Sequence, residues 1–247
     1  MKPKVLIFGC SFSAGRYSCT EQNTEQVHTD VGWYDQLSKD YNYTVYSFHG
    51  GGAINYAHTL LSLHKQNALS EYEHCIIQQT WEPRFTLYQH EGFEKPVVVD
   101  NRTLYSTYDS HAKLFRRELD NPILDFFLIH RGNEYQTKFE KEHKKYLSDI
   151  GNNEHLINTI YSSYALINNL LLQSNVKGCT FSLFPKFDSA WAMPAVKQLD
   201  WNYSKFLDLV SSTLEKTNNI VKHLDLDDTK KLGNLVSHAF DKYLHDV

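Results

Sequence analysis

The chain has 247 residues, of which 41% are hydrophobic and 22% charged, and a formal net charge of −4, with a mean hydropathy of −0.49. That length suits one large domain, and those fractions argue against wholesale disorder or a fibrous repeat. No apolar run approaches the roughly 18–20 residues that cross a bilayer, and no basic stripe suited to nucleic acid stands out, so neither partner is expected.

Lys4–Gly9 (KVLIFG) is a continuous apolar run ended by glycine, the pattern of a strand buried on both faces. Trp33–Lys39 (WYDQLSK) has the Trp33, Leu37 spacing of a helix face, and residues 44–48 (TVYSF) form a second apolar run. Residues 54–63 are helix-like, and His74–Gln79 (HCIIQQ) is a third strand. The region that follows breaks the rhythm, with a charged, loop-like part at 92–125 and amphipathic helical parts at 138–150 and 156–172. Residues 179–184 (CTFSLF), stopped by Pro185, predict a fourth strand, and 220–226 (IVKHLDL) a fifth. Between them, residues 203–217 carry Phe206, Leu207, Val210 and Leu214 as a helical stripe, and residues 235–244 predict a last helix.

Strands alternating with helices imply α/β architecture, with a parallel sheet of five strands and helices on both faces. Residues 1–247 are expected to form a single domain, with an insertion at about 85–155 between the third and fourth strands as a candidate cap over a site. Met1-Lys2-Pro3-Lys4 runs straight into the first strand without a signal-peptide core or small-residue cleavage site, which points to the cytoplasm. Cys10, Cys19, Cys75 and Cys179 have neither CxxC nor Cys/His spacing, and the thirteen histidines show no HxxxH or HExxH. No metal or cofactor is expected. Sixteen tyrosines, fourteen phenylalanines and four tryptophans are an unusual aromatic load, serving either core volume or exposed stacking platforms.

Open parallel sheets bind ligands at the carboxyl ends of their strands. After the first strand comes Gly9-Cys10-Ser11-Phe12-Ser13-Ala14-Gly15, after the second His49-Gly50-Gly51-Gly52-Ala53-Ile54-Asn55, and after the third Gln79-Thr80-Trp81-Glu82-Pro83-Arg84. A serine in a tight strand-to-helix turn exposes its hydroxyl beside backbone N–H groups able to hold an oxyanion. The glycines let the second loop approach a ligand, while Gln79, Thr80 and Arg84 put polar groups in the same crevice, and His49 is a further candidate. The plainer alternative is that Ser11 caps a helix and the glycines merely turn the chain. Neither GxGxxG nor GxxxxGK[ST] occurs, so a nucleotide cradle is the weakest of the readings.

VLIFGCSFSAG resembles the first block of the SGNH/GDSL hydrolase family, with Cys10 in place of the usual aspartate and Ser11 at the nucleophile position. Residues 33–55 resemble the second block, and IIQQTWEPR a divergent third block of the phage and bacterial type. The resemblance implies a three-layer α/β/α sandwich of flavodoxin-like SGNH type. It also implies hydrolysis of an ester, an O-acyl group of a carbohydrate being one candidate. Gly51 or Gly52 would donate to the oxyanion, with Thr80 or Gln79 replacing the family's asparagine, since GxND is absent. The family's final DxxH reads here as Asp228-Thr229-Lys230-Lys231, so that Lys231 falls where the histidine belongs.

That replacement bears on mechanism. Imidazole can take the serine proton and return it to the leaving group, whereas an ordinary lysine, with a pKa near 10.4, is protonated at neutral pH. His238 lies well inside the expected last helix and His223 inside the expected fifth strand, so neither fits the role. A modified Ser11, Asp228, Lys231 relay and a catalytically degenerate protein that binds a small ligand or a protein partner are the two outcomes the residues leave open.

Overall fold

In the first strand, β1 (Lys4–Gly9), every side chain from Val5 to Phe8 is fully enclosed, which is why its sequence is apolar without alternation. Burying each of these residues contributes roughly 1.5–3 kcal/mol relative to leaving it in water. The computed structural model describes residues 2–13, 16–19, 24–27, 32–48, 52–79, 85–88, 97–100, 126–129, 153–183, 191–200, 203–216 and 224–246.

Around β1 lie β4 (Asn42–Ser47), β5 (His74–Gln79), β9 (Lys177–Ser182) and β10 (Val196–Gln198). All five are parallel, in the order β10-β9-β5-β1-β4. Numbered along the chain, that order is the flavodoxin-like 2-1-3-4-5 arrangement. A sixth strand, β7 (Val97–Asp100), adds antiparallel to the β4 edge. Two antiparallel ribbons stand apart from the sheet. One pairs β2 (Arg16–Cys19) with β3 (Thr24–Val27), and the other pairs β6 (Phe85–Tyr88) with β8 (Phe126–Ile129).

One face of the sheet is covered by α1 (Ala53–Lys65) and α2 (Asn153–Gln173), which pack on Leu6, Phe8, Cys75 and Ile77. The other carries the 3-10 helix Trp33–Lys39, α3 (Tyr203–Lys216) and α4 (Leu226–His245), packed on Val5, Ile7, Ile76 and Phe181. The result is the three-layer α/β/α sandwich. Both α1 and α2 end on a left-handed asparagine, Asn67 (φ 56°) and Asn175 (φ 55°). The following amide donates back to the last turn, Ala68 to the Leu63 carbonyl and Val176 to the Leu171 carbonyl, each at 2.9 Å. Among the described residues no helix is long and apolar enough to cross a membrane.

Several expectations need correction. Among the described residues the fifth parallel strand is β10, a segment the sequence did not announce. Residues 220–223 lie outside the described set, and Asp225 caps a helix that Leu226 already opens. VKQ carries only one buried side chain, so no apolar run announces it as a strand. The last helix starts at Leu226 rather than near 235, because the Asp225 carboxylate accepts the Asp228 amide at 2.7 Å and supplies the first-turn partner. Part of the stretch read as loop, VVVD, is strand β7, and the expected helix at 138–150 lies outside the described residues. The 3-10 form of Trp33–Lys39 was not anticipated. Asp35 ties it at both ends of its carboxylate, one oxygen accepting the Gly32 amide at 2.8 Å and the other the Tyr43 hydroxyl of β4 at 2.8 Å.

α4 meets the 3-10 helix at Gly233, where a Cβ would run into the Trp33 backbone carbonyl. Its far end packs at the amino ends of the strands. There Phe240 lies edge-on to His74, and the Tyr243 hydroxyl reaches the Gly178 carbonyl at 3.4 Å. α4 therefore runs antiparallel to the sheet, with its N-terminus at the strands' carboxyl edge. A Gly233→Val protein is expected to lose about 1–3 kcal/mol in urea unfolding, the usual cost of overpacking, since the obstacle is backbone and cannot turn aside.

Burial pushes the pKa of His74 below the ordinary histidine value, with Lys177 pushing the same way and Glu73 opposing. Burial lowers His58 likewise, helped by Lys65. The unfolded chain therefore binds these protons first. Their contribution to stability is full above about pH 6.5 and declines as pH falls through the lowered folded values. Urea midpoints measured from pH 7.5 down to 5 are expected to fall, and His74→Leu to fall less steeply.

Candidate functional site

At the carboxyl edge β1 ends on Gly9 and passes through buried Cys10 into a 3-10 turn, Ser11–Ser13. The Ser13 amide closes that turn on the Cys10 carbonyl at 2.8 Å, and the Phe48 amide, at the exit of β4, donates to the Gly9 carbonyl at 2.9 Å. Adjacent strands are spaced by about 4.8 Å, so the exits of β1, β4 and β5 share one rim. Ser11, at the start of the turn, is thus brought to the same edge as Gly52, Asn55 and Gln79.

Beneath the turn lies a wholly buried polar chain. Trp33 Nε1 donates to Ser13 Oγ at 2.8 Å, and Ser13 Oγ donates in turn to Gln78 Oε1. The same Gln78 oxygen lies 3.4 Å from the Cys10 amide, and Gln78 Nε2 donates to Cys10 Sγ at 3.2 Å. Gly9 faces this cluster, and a Cβ there would collide with Ser13. Gln78, Ser13 and Trp33 were not named from the sequence as residues of the site. The alternation in HCIIQQ could have found Gln78, because it shares a face with Ile76, while Gln79 shares the other with Cys75 and Ile77.

Gly52 is the N-cap of α1, and Asn55 closes it reciprocally: the Gly52 amide donates to Asn55 Oδ1 at 3.1 Å and the Asn55 amide to the Gly52 carbonyl at 3.0 Å. Asn55 and Gln79 are buried. His49, Gly51, Thr80, Arg84 and His223 lie outside the described residues.

The N-terminus of α4 supplies the acids. Asp228 is fully buried, and its Oδ1 accepts from Lys231 Nζ at 2.6 Å, one turn along the helix, while the Lys231 side chain is 57% exposed. An acid in the first turn also suits the helix dipole. Asp228 and Lys231 thus belong to α4 itself, at its carboxyl-edge end, and not to a loop before it. His238 is exposed on the same helix, two residues before Phe240, which packs at the strands' amino ends.

Burial pushes the thiols of Cys75 and Cys179 up, Cys75 adding to the effect on Cys179, so neither is poised as a nucleophile. Among the described residues, no group of three or more histidine, cysteine, aspartate or glutamate side chains is arranged to hold a metal ion.

The strand order and the layers define the class as a flavodoxin-like α/β protein with a serine turn at its carboxyl edge. No protein-family profile matches the chain, and no curated protein matches its sequence. Among solved structures, it is similar to a psychrotrophic esterase, EstA from Pseudoalteromonas sp., in a form inhibited by monoethylphosphonate. The identity is 11% and the TM-score 0.49, covering 99% of this chain and 100% of that one. It is also similar to the lipase Lip_vut3 from a goat rumen metagenome, with 8% identity, a TM-score of 0.44 and coverage of 96% and 97%.

Because Asp225 supplies the first-turn acceptor of α4, Asp225→Ala is expected to cost about 1–2 kcal/mol in chemical denaturation and Asp225→Asn much less. Equal losses in the two variants would mean that the carboxylate's charge, not its capping oxygen, is what α4 needs.

Proposed function

We propose that the chain is a serine-type ester hydrolase, with Ser11 as nucleophile and a small-molecule ester, such as an O-acyl group of a carbohydrate, as substrate. The observation that carries this reading is the location of Ser11. It opens a tight turn at the carboxyl edge of the parallel sheet, on the same rim as the capped N-terminus of α1. Such a turn offers backbone N–H groups to a developing oxyanion. The Gly52 amide is already donated to Asn55, so the loop after β4 would contribute the Gly51 amide, and Thr80 the side-chain donor. Asn55 caps α1 through Gly52, while Gln79, Arg84 and His49 are assigned to substrate contact. The carbohydrate assignment rests on the SGNH resemblance and the aromatic content.

In this scheme Ser11 Oγ attacks the acyl carbon, the alkoxide leaves with a proton, and water later releases the acid and restores the serine. Asp228 and Lys231 form the relay. The Lys231 Nζ is taken up by the Asp228 carboxylate at 2.6 Å, one turn away on the same helix. That ion pair is the specific observation favouring the second reading, a catalytically degenerate protein that binds a ligand or a protein partner at the same rim. Neither reading calls for a cofactor, nucleic acid or membrane, and both are placed in the cytoplasm.

Purified protein incubated with short acyl esters and a serine-reactive fluorophosphonate separates the two. The hydrolase reading expects labelling and turnover in the natural protein, both lost by about 10³-fold or more in Ser11→Ala. An inert natural protein whose Lys231→His variant gains turnover would overturn the hydrolase reading for the natural protein.

A further inference from the structure

We infer that Gln78 is a positioning residue for Ser11, clamping both ends of the Cys10–Ser13 turn through the two ends of one carboxamide. The inference builds on the hydrolase reading of that serine. Gln78 is the penultimate residue of β5 and has no exposed surface. Ile76, two residues earlier on the same face, shows that an apolar side chain is what this layer otherwise takes. A buried carboxamide is costly unless its oxygen and its nitrogen are both satisfied. Here the oxygen receives the Ser13 hydroxyl and approaches the Cys10 amide, and the nitrogen donates to the Cys10 thiol. All three contacts fall on the first and last residues of one turn, and Ser11 and Phe12 lie between them.

The direction of the Ser13 hydroxyl follows from Trp33. The indole N–H can only donate, so it occupies an acceptor site on Ser13 Oγ, and the one hydroxyl proton goes to Gln78. Trp33 is itself held edge-on against Phe181, with ring centroids 5.2 Å apart. Gly9 leaves the space that a Cβ would take from Ser13 and Gln78. The turn is thus located from β5 and from the 3-10 helix as well as from its own strand. A nucleophile displaced by about 1 Å can lose on the order of 10²-fold in rate, which is what such a clamp prevents.

The test combines amide hydrogen exchange with fluorophosphonate labelling and steady-state kinetics in Gln78→Leu, Gln78→Glu and Trp33→Phe. In Gln78→Leu the Ser13 amide, which closes the turn on Cys10, is expected to exchange at least about ten times faster, while β1 and β4 amides keep their protection. Labelling is expected to fall by about 10²-fold, with kcat reduced and KM little changed. In Gln78→Glu activity should recover as pH falls through the new carboxyl's pKa, when the neutral acid can donate to Cys10 again. A purely structural role would not create that limb. Wild-type protection and wild-type labelling in Gln78→Leu would overturn the inference. If the natural protein does not label at all, the hydrolase reading fails by itself. Ser13 exchange in Gln78→Leu then decides the clamp alone, faster exchange supporting it and unchanged exchange overturning it. Should the leucine variant not fold, Gln78→Glu and Trp33→Phe carry the same exchange readout.

Discussion

A single hydroxyl, that of Ser13, joins three parts of the fold that are remote in sequence. It receives the Trp33 indole from the 3-10 helix and gives its proton to Gln78 at the end of β5, while its own backbone closes the turn leaving β1. In an apolar interior each of these groups would be expensive if left unpaired. The three elements can therefore come together in one arrangement only, with Gly9 leaving room for it. The consequences spread outward. Trp33 packs against Phe181 of β9, and its backbone carbonyl is the surface on which Gly233 of α4 rests. The seat of α4 in turn fixes where Asp228 enters the core.

The two faces of the sheet use different physics. The α1 and α2 face is dominated by apolar side chains such as Leu6, Phe8, Ile77, Ile167 and Leu171, with Asn55, Gln79 and Asn168 buried among them. The opposite face mixes aromatic packing with polar anchors: Asp35 between Gly32 and Tyr43, the Ser13 chain, and the Asp225 cap. Much of the aromatic load is core volume, since Tyr34, Tyr43, Tyr56, Tyr164 and Tyr243 are all buried. Trp191 by contrast is 63% exposed and packed against Tyr161 with ring centroids 4.3 Å apart. This second face also carries the Asp228–Lys231 pair. There a buried carboxylate is held by a lysine that still reaches water, an arrangement that orients the ammonium as much as it stabilises the carboxylate.

Legibility in the sequence followed burial. β1 and β5, enclosed on both faces, were readable to the residue from their apolar runs, although His74, Gln78 and Gln79 are buried within β5 as well. The extents of α2 and α3 were readable within a few residues, although Leu207, placed in the stripe of α3, is exposed. β10 and β7 were not, because an edge strand takes its place from a neighbour's unpaired amides and carbonyls, and VKQ and VVVD carry little pattern of their own. The start of α4 was written in the sequence as Asp225 three residues before Asp228, a capping signal hidden inside an apparent strand. At the site, Ser11 was legible as a serine after a buried strand. The partners of its turn were not, since Gln78 lies 68 residues from Cys10 and Trp33 lies 20 from Ser13.

By itself the sequence determined the strand-and-helix alternation, the parallel sheet and the residues placed at its carboxyl edge, because hydrophobic periodicity is a local property of the chain. It also determined that a lysine stands three residues after Asp228. Only the tertiary structure decided which strand closes the sheet, that Asp228 and Lys231 sit on a helix as an ion pair, and that the serine turn hangs from Gln78. Those outcomes depend on which polar groups find partners once water is excluded. A chain read residue by residue holds the donors and the acceptors, and folding alone pairs them.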